Sequence, residues 1–502
     1  MRGQKKIARR KSRAIAAASM LAAIVAGGRA DGADYIGGNN SFWSDPNNWS
    51  TLFVPASAFE TANITLTPPG PATVTQDYLY DSQTGLGSVT VDGLGGYPVT
   101  LIGYAGLVTG SAYIGVAGKG IYANPNGYST SIGALYLGYG GGSNGTYTLT
   151  GPSTSTVNGN AYVGYSGVGS FDQSTGIQEI GGGSGIHSFY FGYNAGSSGS
   201  YTLSGTGNLT VNGNEYIGLS GNGSFKQTGG RHAVSGVLDV AANPGSSGIY
   251  TISAGSLTMG TLQVNANGVF HYNGGTVEPI TVQISDRGKV ILSPGGGSRT
   301  LATYALSMDR ASGTQLNLND HALIVRDSEV GVPDSGVYNG VTGLIQSGFN
   351  QGSWDGAGII TGMADATAGL TSLGIATADQ TGYSVFGGVR VSGGNILVMY
   401  TYAGDANLDG FISGDDYSTI DFNVGTSADG WYPGAFKYDG MVSGDDYSTI
   451  DFNYVAQGAP FPTSAAADAA SVTAVPEPAT IGLMMLALPM WLRRRRCGIA
   501  GL

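Results

Sequence analysis

The sequence predicts a mainly β chain. At its centre is a right-handed parallel β-helix, followed by a β-domain, a small α-helical module and a C-terminal hydrophobic helix. Three observations lead there. An aromatic-aliphatic-Gly segment recurs through the middle of the chain at offsets of 23, 26, 28, 26 and 22 residues. Glycine supplies 87 of the 502 residues, and charged residues only 11%. Ser, Thr, Asn, Tyr and Val make up much of the rest, which suits short strands and tight turns. With 41% hydrophobic and 10% aromatic residues, the chain has the means to bury a core and is not of disordered composition. Its length exceeds what one core serves, so several modules are expected.

The first element is not part of the fold. Arg2, Lys5, Lys6, Arg9, Arg10, Lys11 and Arg13 form a basic stretch, Ala14 to Ala26 is apolar, and Gly28-Arg29-Ala30 places small residues where a leader is cut. Residues 1–30 therefore read as a signal peptide, cleaved after Ala30 or Ala33. The one cysteine, Cys497, permits neither an intramolecular disulfide nor a thiolate metal cluster.

Residues 31–110 are expected to form an N-terminal β cap. Within them, Trp43-Ser44-Asp45-Pro46-Asn47-Asn48-Trp49 resembles the Trp-Ser-x-Pro-x-Asn-Trp motif found near the start of many exported repeat proteins. Two bulky rings there would cover the open end of the first coil; the competing use is a sugar-stacking platform on Trp43 or Trp49.

The repeats proper are placed at 111–276. Successive starts are Tyr113-Ile114-Gly115, Tyr136-Leu137-Gly138, Tyr162-Val163-Gly164, Tyr190-Phe191-Gly192, Tyr216-Ile217-Gly218 and, more diverged, Leu238-Asp239-Val240. Each is followed by a turn and a second strand such as Gly199-Ser200-Tyr201-Thr202-Leu203. Alternate units match best, giving a longer period of 54 residues from Tyr162 to Tyr216. One unit cannot bury its own apolar face; stacked units can, and the Tyr, Leu, Val, Ile and Phe positions are expected to share that core. The repeats resemble those of autotransporter passenger domains. Residues 277–400 lose the repeat but keep strand-like runs, Lys289–Leu292, Ala322–Val325 and Ile396–Tyr400, with one short helix over Leu344–Phe349; they read as a closing β-domain.

Metal chemistry is indicated at one place. Asp405, Asn407 and Asp409 alternate along the chain, Gly410 allows a sharp turn, Phe411 offers its carbonyl, Ser413 acts through water, and Asp416 closes the set. Alternating oxygen donors with glycine at the sixth position are the pattern of a calcium loop, a hard cation taking six to eight oxygens. One calcium is therefore expected. Thirty residues on, the pattern returns with Ala435 in place of the first carboxylate and Lys437 in place of the second donor, and this second loop is predicted to be metal-free. The segments after the loops, Asp416-Tyr417-Ser418-Thr419-Ile420-Asp421-Phe422-Asn423 and Asp446-Tyr447-Ser448-Thr449-Ile450-Asp451-Phe452-Asn453, are identical. The duplication over residues 401–456 resembles a dockerin module, an EF-hand pair. That resemblance implies a cohesin-like partner.

After a linker at 457–474 comes a last address. Pro476-Glu477-Pro478 precedes an apolar run, Ile481 to Leu492, and a block of Arg493, Arg494, Arg495 and Arg496. The run is shorter than the ~20 residues of a stable span, and the arginines stop at the cytoplasmic face. Breaker, apolar run and basic stop over 475–502 resemble the PEP-CTERM sorting signal. That resemblance implies an exosortase-like processing enzyme, transient inner-membrane anchoring and delivery to the cell surface, outer membrane or extracellular space. Loss of both ends leaves ten basic residues against 32 acidic ones, about −22, which argues against nucleic acid as a partner.

No catalytic residues are assigned. Between Tyr113 and Gly275 the acids are Asp172, Glu179, Glu215 and Asp239, scattered over different coils, and the four histidines stand far apart in sequence. The expected function is that of an exported structural or adhesive repeat protein, not an enzyme. The alternatives are a dockerin-like partner-binding module and a β-helix that binds or acts on carbohydrate, a surface polysaccharide being the candidate partner.

Overall fold

The computed structural model describes residues 32–37, 41–52, 54–55, 61–66, 72–76, 86–103, 107–125, 128–182, 185–295, 299–426 and 429–463. The signal peptide and the sorting segment, with Pro476, Glu477, Pro478 and Arg493 to Arg496, lie outside the described residues.

The centre is a parallel β-solenoid of about ten turns. Each full turn carries three short strands, as in Asn144–Leu149, Thr154–Val157 and Ala161–Val163. One ladder can be followed residue by residue from Ala33 through Ala62, Val89, Ala112, Leu135, Ala161, Phe189, Glu215, Leu238, Leu262 and Val282 to Leu306. The coil stack thus begins well before residue 111 and runs past 276. A second ladder continues to Ile360 through the pairing of Gln315–Asn317 with Gly358–Ile360. The repeat was hard to see at both ends because inward positions need only be apolar, whereas the middle copies also keep tyrosine and glycine.

Inside and outside alternate along each strand, as the pleat requires. The tyrosines of the aromatic-aliphatic-Gly segments point outward, contrary to their expected place in the core; Ala112, Ile114, Leu135, Leu137, Ala161 and Val163 are the buried residues beside them. A continuous interior aromatic stack comes from the second strand of each unit, joined by Phe189 and Phe191 from the first. Tyr147, Phe171, Tyr201, Phe225 and Tyr250 are buried and stack in sequence at 4.4 to 4.9 Å. Register also corrects the last repeat: Tyr216 lies beside Asp239, not Leu238.

The glycine of each segment closes the turn in the left-handed region, with φ of 72° at Gly115, 62° at Gly138, 76° at Gly164, 58° at Gly192 and 83° at Gly218. A Cβ at Gly164 would meet the Ser198 carbonyl oxygen at 2.1 Å, so glycine is required twice over. The diverged copy places Ala241 there, at φ 61°, and its amide still bonds to Ile217 O at 2.9 Å, as Gly218's does to Phe191 O at 3.0 Å.

The outward tyrosines form a herringbone. Tyr113, Tyr136, Tyr162, Tyr190 and Tyr216 make one row, with neighbours 4.9 to 5.1 Å apart and within 4° to 9° of parallel. Tyr139, Tyr165 and Tyr193 make a second row, 5.1 Å apart and within 6° to 10° of parallel. Across the rows the planes stand at 82° to 90°. Asn160 and Asn214, two coils apart, donate to the Tyr162 and Tyr216 hydroxyls at 3.2 Å.

Trp43 and Trp49 fill the first coil. They pack edge to face at 4.7 Å, and Trp49 Nε1 donates to Trp43 O at 2.9 Å. Both rings are buried, so neither offers a face to a sugar.

Beyond the coils, Thr300–Thr303, Ala322–Val325, Ile396–Tyr402 and Thr371–Thr377 form a four-stranded mixed sheet in that order. A helix over Gly340–Phe349 packs on the last coil strand, its Gly348 lying close to Ile359 O. Ile396–Tyr402 is buried along its whole length, which reflects cover on both faces.

Candidate functional site

The loop at 405–416 lies directly after the Ile396–Tyr402 strand. Asp405 is buried, and its carboxylate accepts from Gly410 N at 2.9 Å, Asp409 N at 3.1 Å and the Thr401 hydroxyl. Asn407 Oδ1 accepts from Asp409 N at 2.9 Å, and Asp409 Oδ1 from Phe411 N at 3.2 Å. Asn407 and Asp409 thus each fold the chain over their own side chain by bonding an amide two residues on, while Asp405 reaches amides four and five residues on.

Asp416 closes the loop from the far side. It stands at the third position of the helix Gly414–Asn423, in a capping box with Ser413. Its Oδ2 accepts from Ser413 N at 2.8 Å and its Oδ1 from Ala406 N at 2.8 Å. Burial raises the Asp416 carboxyl, while the Ser413 and Ala406 amides oppose the rise. Asp405 is pushed up to about 8, chiefly by burial, with Asp416 and Asp409 adding to the rise and Thr401 and Gly410 opposing it. The donor set is all oxygen and two of its carboxylates are buried, which fits a hard cation in kind. Convergence is less complete: among the described residues no three His, Cys, Asp or Glu side chains gather as a metal-holding group, because amides already engage the Asp405 and Asp416 oxygens.

The second loop repeats the frame without the first carboxylate. Asp446 Oδ1 accepts from Phe436 N at 2.8 Å and Oδ2 from Ser443 N at 2.9 Å, matching Asp416 bond for bond. Left-handed residues recur at the same places, Leu408 and Gly410 in one loop, Tyr438 and Gly440 in the other. Ala435 is buried. Lys437, at the position of the second donor, holds its amine 3.8 Å from Asp445 at the exposed surface.

The two loop helices, Gly414–Asn423 and Gly444–Ala456, meet about a local twofold. Ile420 and Ile450 are buried, Ile420 beside Gly434 and Ile450 beside Gly404. Tyr417 donates to Asp451 at 2.8 Å, and Tyr447 donates to Asp421. The pair does not stand alone. Trp431 Nε1 donates to Asp405 O at 2.7 Å, Tyr438 donates to Leu373 O, and Asn453 Nδ2 donates to Ala403 O at 2.8 Å. The four-stranded sheet and the loops therefore share one core.

Glu215 and His232, which looked unrelated in sequence, meet inside the solenoid. His232 Nε2 lies 2.7 Å from Glu215 Oε2 and Nδ1 lies 2.8 Å from Tyr250 Oη, which donates to Gln227 Oε1 at 2.8 Å. Both partners are sealed at 0% exposure, so this acid–base pair cannot touch a substrate. The missed signal was positional: Glu215 precedes Tyr216 where other repeats have Ala112, Leu135, Ala161 or Phe189. Asp172 and Glu179 fall on different strands of one coil.

No family model matches the chain, and no match was found among curated proteins or solved structures.

Proposed function

We propose that the chain is an exported structural or adhesive protein, sorted by an exosortase-type enzyme through its Pro476-Glu477-Pro478 tail and presented at the cell surface or outside the cell. The observation that carries this reading is the unbroken parallel ladder, a stack whose outward tyrosine row repeats over five successive coils. Such a stack presents many equivalent contacts along one axis. A calcium ion at Asp405, Asn407, Asp409, Phe411, Ser413 and Asp416 orders the module that follows. It supplies positive charge beside buried carboxylates that otherwise carry a desolvation cost.

Mass spectrometry of surface and cytosolic fractions tests the delivery. The protein is expected at the surface, without residues 1–30 and trimmed near residue 476; an intact chain confined to the cytosol rejects the proposal. Equilibrium dialysis of the full chain tests the ion. One calcium per chain is expected, absent in Asp405→Ala, and no binding to the parent chain removes the calcium role.

A second reading, partner docking as a dockerin resemblance implies, is favoured by Phe422 and Phe452. These equivalent residues on the two loop helices are 83% and 78% exposed. If a cohesin-like partner binds there, Phe422→Ser with Phe452→Ser abolishes its capture while calcium binding persists.

A further inference from the structure

We propose that the tyrosine herringbone on the outside of the solenoid is a binding face for an uncharged, extended polysaccharide lying along the solenoid axis, one sugar residue per coil. The inference names the partner class for the surface-presentation reading above and rests on it for where the face is displayed.

Periodicity is the first argument. Rings in the outer row, Tyr139, Tyr165 and Tyr193, recur every 5.1 Å and stay parallel within 10°; the inner row keeps the same step. That step is set by strand spacing in a parallel sheet, and it is close to the length of one pyranose in an extended glycan.

Chemistry is the second. The ring faces within each row are covered by the neighbouring rings, so each coil offers aromatic C–H edges with a phenol hydroxyl, a pairing that suits a sugar's hydroxyl rim and ring oxygen. Val116 and Leu219 take the place of the outer-row tyrosine in the coils before and after it. The rings already pack against one another, so little side-chain freedom is lost on binding.

Charge selects among occupants. The strip consists of tyrosines, while the chain between its two ends carries about −22. A second copy of the chain, a nucleic acid or an anionic glycan is repelled at long range; a neutral glycan is not.

The test uses the full chain secreted by its own host. Retention is measured on amorphous cellulose, mannan, β-1,3-glucan and alginate, followed by titration with neutral oligosaccharides of two to six residues from the polysaccharide retained. At least one uncharged polysaccharide is expected to retain the protein, with affinity rising with oligosaccharide length. Replacing Tyr139, Tyr165 and Tyr193 together by Ala is expected to weaken binding about tenfold or more. Should that variant fail to fold, the corresponding triple Phe variant, which keeps the rings and removes three hydroxyls, is expected to weaken binding several-fold. Retention by none of the neutral polymers, retention by alginate alone, or affinity unchanged in the folded variants overturns the proposal. So does concentration-dependent self-association abolished by the triple variant without glycan binding. Location and tail trimming do not involve these tyrosines, so delivery and binding fail separately.

Discussion

The two loops of the C-terminal module are the same backbone with different chemistry. Both turn through left-handed residues at equivalent places, and both are closed by an aspartate that opens the following helix and bonds back across the loop. The first loop buries an additional carboxylate at Asp405, where the second buries Ala435. The difference teaches that the frame does not require the first carboxylate: Asp416, Asp446 and the glycines hold the same shape in both loops, while Asp405 and Asn407 are found in the first alone. The solenoid shows the same tolerance, because Ala241 holds a turn that its neighbours build with glycine.

The largest expected effect breaks what the loops share. Asp416→Ala and Asp446→Ala each strand buried amides without an acceptor, so each should lower stability by roughly 3 kcal/mol, read from the denaturant midpoint of the metal-free protein. If only Asp416→Ala destabilises, the frames are not equivalent.

Restoring the lost donors sharpens the contrast. Ala435→Asp with Lys437→Asn should raise calcium stoichiometry from one to two by dialysis, with about 2.7 kcal/mol of added stability when calcium is 100-fold above its dissociation constant. In the solenoid, Ala241→Gly relieves a left-handed alanine and should stabilise by about 1 kcal/mol in thermal melts.

A carboxylate outside both loops supplies the pH control. Burial raises Asp239 from 3.8 to about 6, against its bond from Asn265. Between those values the folded chain holds a proton that the unfolded chain has released. The Asp239 contribution to stability is therefore fully present below pH 4 and lost as pH rises through 6. Asp239→Asn should flatten that slope in a pH series of denaturant midpoints, with calcium absent. The smallest effect belongs to Lys437→Ala, which removes an exposed 3.8 Å pair and should change stability by less than ~0.5 kcal/mol.

Much of this was legible in advance. Spacing of Tyr-x-Gly segments announced stacked parallel coils, because the hydrophobic period and the turn glycine are both local requirements. The loop donors were legible for the same reason, Asn407 and Asp409 each being fixed by an amide two residues away. The sequence alone thus determined the turn residues and the loop frame.

Tertiary structure decided which face each side chain took. A one-residue shift in a strand exchanges inside for outside, and tyrosine is at home on either side, so the outward rows and the inward Tyr147–Tyr250 stack were indistinguishable in the string. It also decided which distant residues meet. Glu215 pairs with His232, and Trp431 seals Asp405 from 26 residues away, because coil register and sheet packing, not chain proximity, set those distances.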